Sequence, residues 1–194
     1  RSMPCKVVVC GFFGDTGKGK VISYLALKDR LDITARAGVG PNAGHTVLYE
    51  GRKYGLSMLP SAFVNKKCRL LIGPGVLVNP DTLIREMQLT ETEDRVGVDP
   101  QCAIIEARHI EADKTGHLAA DIRTTGTGTG PCNAERALRK VKLAKDVAEL
   151  KKYLTDVPLE VNQAIDDGKQ VLIEGTQGTY LSLYHGTYPY CTSK

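Results

Sequence analysis

The 194 residues carry 42% hydrophobic side chains, 26 Lys and Arg against 22 Asp and Glu, and a net charge of +4. That apolar content can bury one sizeable core, and the mild basicity suits anionic small molecules while falling short of the basic footprint of a nucleic-acid binder. No apolar run approaches the ~20 residues of a membrane helix and no secretory signal opens the chain. The six cysteines form no CxxC pair, so a cytoplasmic protein with buried free thiols is expected, with neither nucleic acid nor membrane as a partner.

Arg1 and Ser2 precede Met3, which reads as a natural start, and one nucleotide-binding α/β domain is expected over 3–194. Cys5 to Cys10 is a short β-branched run ended by Gly11, the profile of a strand buried on both faces. Beyond a glycine-rich turn, Val21, Ile22, Tyr24, Leu25 and Leu27 fall at mostly helical spacing within Lys18 to Lys28, and Leu31 to Ala35 can return as a second strand. Tyr54 to Leu59, Arg69 to Ile72 and Val76 to Val78 read as strands, and Asn79 with Pro80 makes an N-cap and first-turn pair for a helix through about Met87. Ala103 to Ile105 is a further candidate strand, and Ala134 to Leu154, rich in helix formers, is expected to be largely helical. A helix over Leu159 to Asp167 leads to a last core strand, Val171 to Glu174. This alternation predicts an α/β fold with a mostly parallel central sheet and a phosphate-loop-like first strand, loop and helix.

Four loops carry chemistry. Gly11 to Lys20, GFFGDTGKGK, places Gly14, Gly17 and Gly19 where backbone amides at a helix start can close on phosphate oxygens, with Lys18 and Lys20 adding charge. It departs from GxxxxGK[ST]: Phe12 takes the place of the first glycine, and Gly19 follows Lys18 where a metal-binding hydroxyl usually stands. In its place is Asp15, a carboxylate that would repel a triphosphate unless it binds metal or takes a proton; capping the following helix is the alternative. Gly38 to Thr46, GVGPNAGHT, reads as an exposed loop that brings Asn42, Gly44, His45 and Thr46 close to a ligand. Arg123 to Pro131, RTTGTGTGP, offers the hydroxyls of Thr124, Thr125 and Thr127 to a monophosphate, or is a flexible surface loop. Glu174 to Ser193 follows the last core strand and mixes an amide, hydroxyls and aromatics, as a ligand loop at a sheet's carboxyl edge does. Tyr188 to Tyr190 could equally be core or packing surface.

GDTGKGK, PNAGHT, LIGPGVLVNP, TTGTGTGP, EGTQGT and HGTYPYCTS occur in the order and spacing typical of adenylosuccinate synthetases, and the chain resembles the amino-terminal part of that family over nearly its whole length. The resemblance implies a P-loop-like, GTPase-related architecture and a GTP-dependent ligase in AMP biosynthesis. In that family GTP phosphorylates the 6-oxygen of IMP, and the amino group of L-aspartate then displaces phosphate to give adenylosuccinate. It implies Asp15 and His45 as catalytic: Asp15 as the base at N1 of IMP and, with the Gly44 carbonyl, a ligand of Mg²⁺, and His45 at the γ-phosphoryl group. Gly14, Asp15, Thr16, Gly17, Lys18, Gly19, Gly44, His45 and Thr46 would hold GTP. Asp15, Lys18, Asn42, Thr125, Gln177 and Thr192 would contact IMP, together with Arg139 supplied by a neighbouring subunit, so a homodimer is implied. Phe13 and Thr16 stand where the family more often has Trp and Glu, and Thr127 where bacterial members carry Arg. The family's arginine-rich aspartate loop and Lys-x-Asp guanine motif have no counterpart here, so the 194-residue piece is expected to be inactive by itself. The rival readings are a non-catalytic fragment that holds IMP and the GTP phosphates, and a kinase or dethiobiotin-synthetase-like ligase, against which Gly19 speaks.

Overall fold

The computed structural model describes residues 5–193; Met3, Pro4 and Lys194, at the ends of the expected domain, lie outside them, as do Arg1 and Ser2. Five strands form a parallel sheet: β1 (Cys5–Val8), β2 (Ile33–Arg36), β5 (Arg69–Ile72), β7 (Val96–Val98) and β9 (Val171–Glu174), in the order β1-β9-β2-β5-β7. Every adjacent pair is parallel, with Val7 opposite Ile173 and Ala35 opposite both Ile173 and Leu71. The antiparallel hairpin β3 (His45–Tyr49) and β4 (Arg52–Leu56) and the short parallel pair β6 (Leu77–Val78) and β8 (Ala103–Ile104) complete the strands.

Side chains that alternate along the strands divide the core between the two faces of the sheet. Leu70, Ile72, Val98 and Leu172 join Ile22 and Ala26 of helix α1 (Lys18–Lys28), the hairpin residues Val47 and Leu56, and the 3₁₀ turn Ser61–Val64. Ile33, Ala35, Leu71 and Val171 face the other way and pack on Val157 and Ala164 of a long helix near the end of the chain. Among the described residues four α-helices follow α1: α2 (Pro80–Thr90), α3 (Ala107–Asp113), α4 (Thr129–Ala137) and α5 (Val157–Asp166).

Helix α2 begins as expected, with Asn79 accepting the Thr82 amide at 2.9 Å and Pro80 at its first position. Asn79→Ala is expected to cost about 1 kcal/mol of unfolding free energy in a urea titration, with an unchanged slope. Further on, Glu86 (4% exposed) uses both carboxylate oxygens on the amides of Ser57, Met58 and Leu59, at 2.6–2.9 Å, and so ties the segment after the hairpin to α2.

Two expectations are corrected. The first strand is not buried on both faces: β1 is an edge of the sheet, and Val7 (63%) and Val9 (70%) are exposed. Nor is Ala134 to Leu154 largely α-helical: α4 stops at Ala137 and Arg139 turns the chain at φ 58. Lys142 and Leu143 then run beside β8, with Ile104 donating to Lys142 at 2.9 Å, and two short 3₁₀ turns carry the chain to Leu154, which bridges Val98. Pairing with existing strands outweighs helix propensity there. The thiols are free, with four buried and Cys5 and Cys191 partly so. Among the described residues no helix is long and apolar enough to cross a membrane.

Candidate active site

Three loops meet at the carboxyl edge of the sheet. The first leaves β1 and enters α1 through Gly14 (φ 91) and the N-cap Gly17 (φ 85), left-handed conformations that glycine adopts without strain. Cys10 is its internal anchor: Sγ accepts the amides of Phe12 (3.3 Å) and Gly14 (3.2 Å) and the Thr16 hydroxyl (3.2 Å). Burial pushes this thiol up, but those hydrogen bonds and the Lys18 charge outweigh it and hold it below its ordinary value. Lys18, 5% exposed, donates across the loop to the carbonyls of Gly14 (2.5 Å) and Gln177 (2.8 Å). Burial pulls its ammonium below the usual lysine range, opposed by Cys10, Asp15 and Glu174. Asp15 and Thr16 stand exposed at the loop's mouth.

Glycine at position 19 has a steric cause. A Cβ there would lie 3.0 Å from the Thr46 carbonyl oxygen and 3.1 Å from the His45 Cβ, so the absent hydroxyl makes room for the second loop. Here too an expectation is corrected: His45 is not in an exposed loop but opens β3 and is 4% exposed. Its Nδ1 is bonded to Glu174 Oε1, while Nε2 is buried without a protein partner. Glu174, fully buried, also accepts the Ser61 hydroxyl and amide, both at 2.8 Å. Burial would raise this carboxyl, but the His45 bond and charge, the Arg36 charge and the Ser61 amide outweigh it and hold it below the ordinary range. Arg36, also buried, donates to the Ala43 carbonyl at 2.8 Å and so fixes the loop that leads to His45. Gly44 and Thr46 are exposed on either side of the histidine.

The third region is a cavity of about 480 Å³ whose lining includes Asn42, Thr125, Gln177 and Thr192. Asn42 Oδ1, Gln177 Nε2 and Ser193 Oγ are buried polar atoms there without a protein partner: the amide NH₂ and the hydroxyl can donate to a ligand, and the Asn42 oxygen can accept from one. Asp15, Lys18 and His45 lie outside this lining, and Gln177 connects the two halves. Its carbonyl takes Lys18, its carbonyl carbon sits 3.1 Å from where a Gly14 Cβ would be, and a Cβ on Gly178 would fall 2.3 Å from the Phe12 oxygen. Arg139 is exposed beyond α4 and does not line the cavity.

The matching protein-family model, adenylosuccinate synthetase, covers residues 7–149 and 140–194. The chain belongs to the adenylosuccinate synthetase family. It is 58% identical over 193 residues to the adenylosuccinate synthetase of Archaeoglobus fulgidus and 54% identical over 196 residues to that of Pyrococcus horikoshii, covering 99% of this chain in each case. It spans 57% and 58% of those two relatives. The fully ligated adenylosuccinate synthetase of Plasmodium falciparum superposes with a TM-score of 0.88 at 25% identity, over all of this chain and 56% of that one. The succinoaminodeoxyadenylate synthetase of cyanophage S-2L, bound to dGMP and to dATP as an energy donor, gives 0.84 at 26% identity, over all of this chain and 57% of that one.

Sequence reasoning missed the surroundings of His45 in this family member. Glu174 ends an apolar strand, Arg36 ends another, and Ser61 sits in a 3₁₀ turn. A charged residue closing a core strand was the one available signal. Among the described residues no group of three or more His, Cys, Asp or Glu side chains could cage a metal. Asp15 alone brings a carboxylate to the phosphate loop, a donor set that fits Mg²⁺, which keeps few protein ligands and completes its shell with phosphate oxygens and water.

Proposed function

We propose that the protein carrying this chain is a GTP-dependent ligase joining IMP and L-aspartate to adenylosuccinate through 6-phosphoryl-IMP, and that residues 3–194 form its nucleotide-binding α/β domain. The observation that carries this reading is the meeting, through Gln177, of a carboxylate-bearing phosphate loop, a buried histidine–glutamate pair and a cavity lined by threonines and amides. Asp15 takes the N1 proton of IMP, and the 6-oxygen attacks the γ-phosphorus of GTP with GDP leaving. The amino group of aspartate then displaces phosphate at C6. The amides of Gly14 to Gly19 and Lys18 hold the β and γ phosphates, with Thr16 and Thr46 at the mouth. Mg²⁺, held by Asp15 and the Gly44 carbonyl, would supply neutralisation of the phosphate charge.

His45 is set up to act on that charge. Nδ1 is bonded to Glu174, which orients the ring and leaves Nε2 as the free edge that stabilises the γ-phosphoryl group in transfer. Asn42, Thr125 and Thr192 hold the IMP phosphate and Gln177 its base. Arg139, exposed and not among the residues lining its own cavity, reaches that of a second copy in a homodimer. Binding alone needs neither a base nor a buried imidazole–carboxylate pair, which favours catalysis over a passive nucleotide holder.

Isothermal titration of IMP with Mg²⁺ tests the site. Thr192→Ala and Arg139→Ala are each expected to weaken binding about tenfold, the size of a lost hydrogen bond to a charged group. A folded sample that binds no IMP, or variants that both bind it as tightly as the wild type, would overturn the assignment.

A further inference from the structure

We propose that Asp113 is a positioning residue that holds the threonine-rich loop in the shape that grips the IMP phosphate; the inference rests on the reading above. Asp113 is the last residue of α3, the end of a helix least favourable to negative charge, and only 3% of it is exposed. Among the described residues no Lys, Arg or His pairs with it. A carboxylate kept there without a cation must be stabilised by its hydrogen bonds, and both oxygens are used. Oδ1 accepts the Thr124 hydroxyl at 2.7 Å, and Oδ2 accepts the Gly128 amide at 2.8 Å.

Those two contacts bracket the segment that carries the ligand hydroxyls. Between them Thr125 Oγ1 lies 3.1 Å from Thr127 Oγ1, which lies 3.0 Å from Thr129 Oγ1 in the first turn of α4. Gly128 (φ 80) is seated so tightly that a Cβ would come within 2.9 Å of the Ile110 amide nitrogen. One carboxylate therefore fixes both ends of a short hydroxyl ladder at the N-terminus of a nine-residue helix that borders the cavity. Asp113 itself lines the cavity, and with one bond from each oxygen to the loop it arranges the donors from the cavity wall.

The test compares IMP with inosine, which lacks the phosphate, by titration into wild type, Asp113→Ala and Asp113→Asn. Alanine removes both bonds and is expected to cut the preference for IMP over inosine by roughly 10- to 100-fold with inosine affinity unchanged. Asparagine keeps one acceptor, and Thr124 can turn to accept its NH₂, so most of the preference should return. Should the alanine variant not fold, Thr124→Val, which frees one end of the loop, is expected to lower the preference about fivefold. A folded Asp113→Ala that keeps the wild-type preference, or loses inosine and IMP equally, overturns this inference alone. A wild type that prefers neither ligand overturns the proposed function and this inference together.

Discussion

Asp15→Asn in the full-length protein is expected to lower phosphoryl transfer to IMP roughly 10³-fold while changing IMP affinity severalfold at most, as for loss of a positioned base. The amide keeps the size and hydrogen-bonding reach of the carboxylate but cannot take the N1 proton and is a poor ligand for Mg²⁺. Two features of the loop make this a clean substitution. Asp15 is exposed, and the loop's shape is set by Cys10, by two positive-φ glycines and by Lys18 spanning to Gln177, none of which uses the Asp15 side chain. Rapid-quench detection of GDP formed per site reads the step directly. A burst of wild-type size in the variant would remove Asp15 from the chemistry.

Glu174→Ala should have the largest effect on stability. The side chain is fully buried and is shared by His45, the Ser61 amide and hydroxyl, and the field of buried Arg36. Removing one partner from such a set leaves the others uncompensated, at a cost of about 3–5 kcal/mol, or roughly 10 °C in Tm for a chain of this size. The sign of the pH dependence follows from the depressed carboxyl. A group whose folded value lies below its unfolded one adds stability above about pH 4.5, and that contribution is lost as pH falls through the folded value. Thermal unfolding at pH 7 and pH 4 should thus show the gap between wild type and Glu174→Gln narrowing on acidification. A gap independent of pH, or an alanine variant within 1 kcal/mol of wild type, would show that the carboxylate is not stabilised by its partners.

What the sequence made legible follows from how local each signal is. Helix α1, β5 and β9 fall where periodicity and β-branched runs place them, and the Asn79–Pro80 cap needs only neighbouring residues. The phosphate loop was readable for the same reason, its glycines serving a turn closed within a few residues. Edge status was not readable, because Cys5 to Cys10 is as apolar as a central strand and only the assembled order shows that, among the described residues, nothing covers Val7 and Val9. The burial of His45 was hidden too, since it depends on a carboxylate 129 residues away. Among glycines and an asparagine, the histidine looked exposed because a local window cannot see Glu174 arriving from β9. Asp113 stood in an unremarkable helical stretch, and its meaning comes from the loop folded back over it.

The position of β9 has a consequence for how the site comes into being. The final strand among the described residues inserts between β1 and β2, so the first strand has no sheet partner until residues 171–174 are available. The phosphate loop shares that dependence, because Lys18 is held by a carbonyl 159 positions further along. During synthesis the phosphate loop is therefore made well before it can take its working shape. Until then an apolar first strand waits without β9 beside it, which gives the site a high contact order and leaves apolar surface exposed while the chain is made.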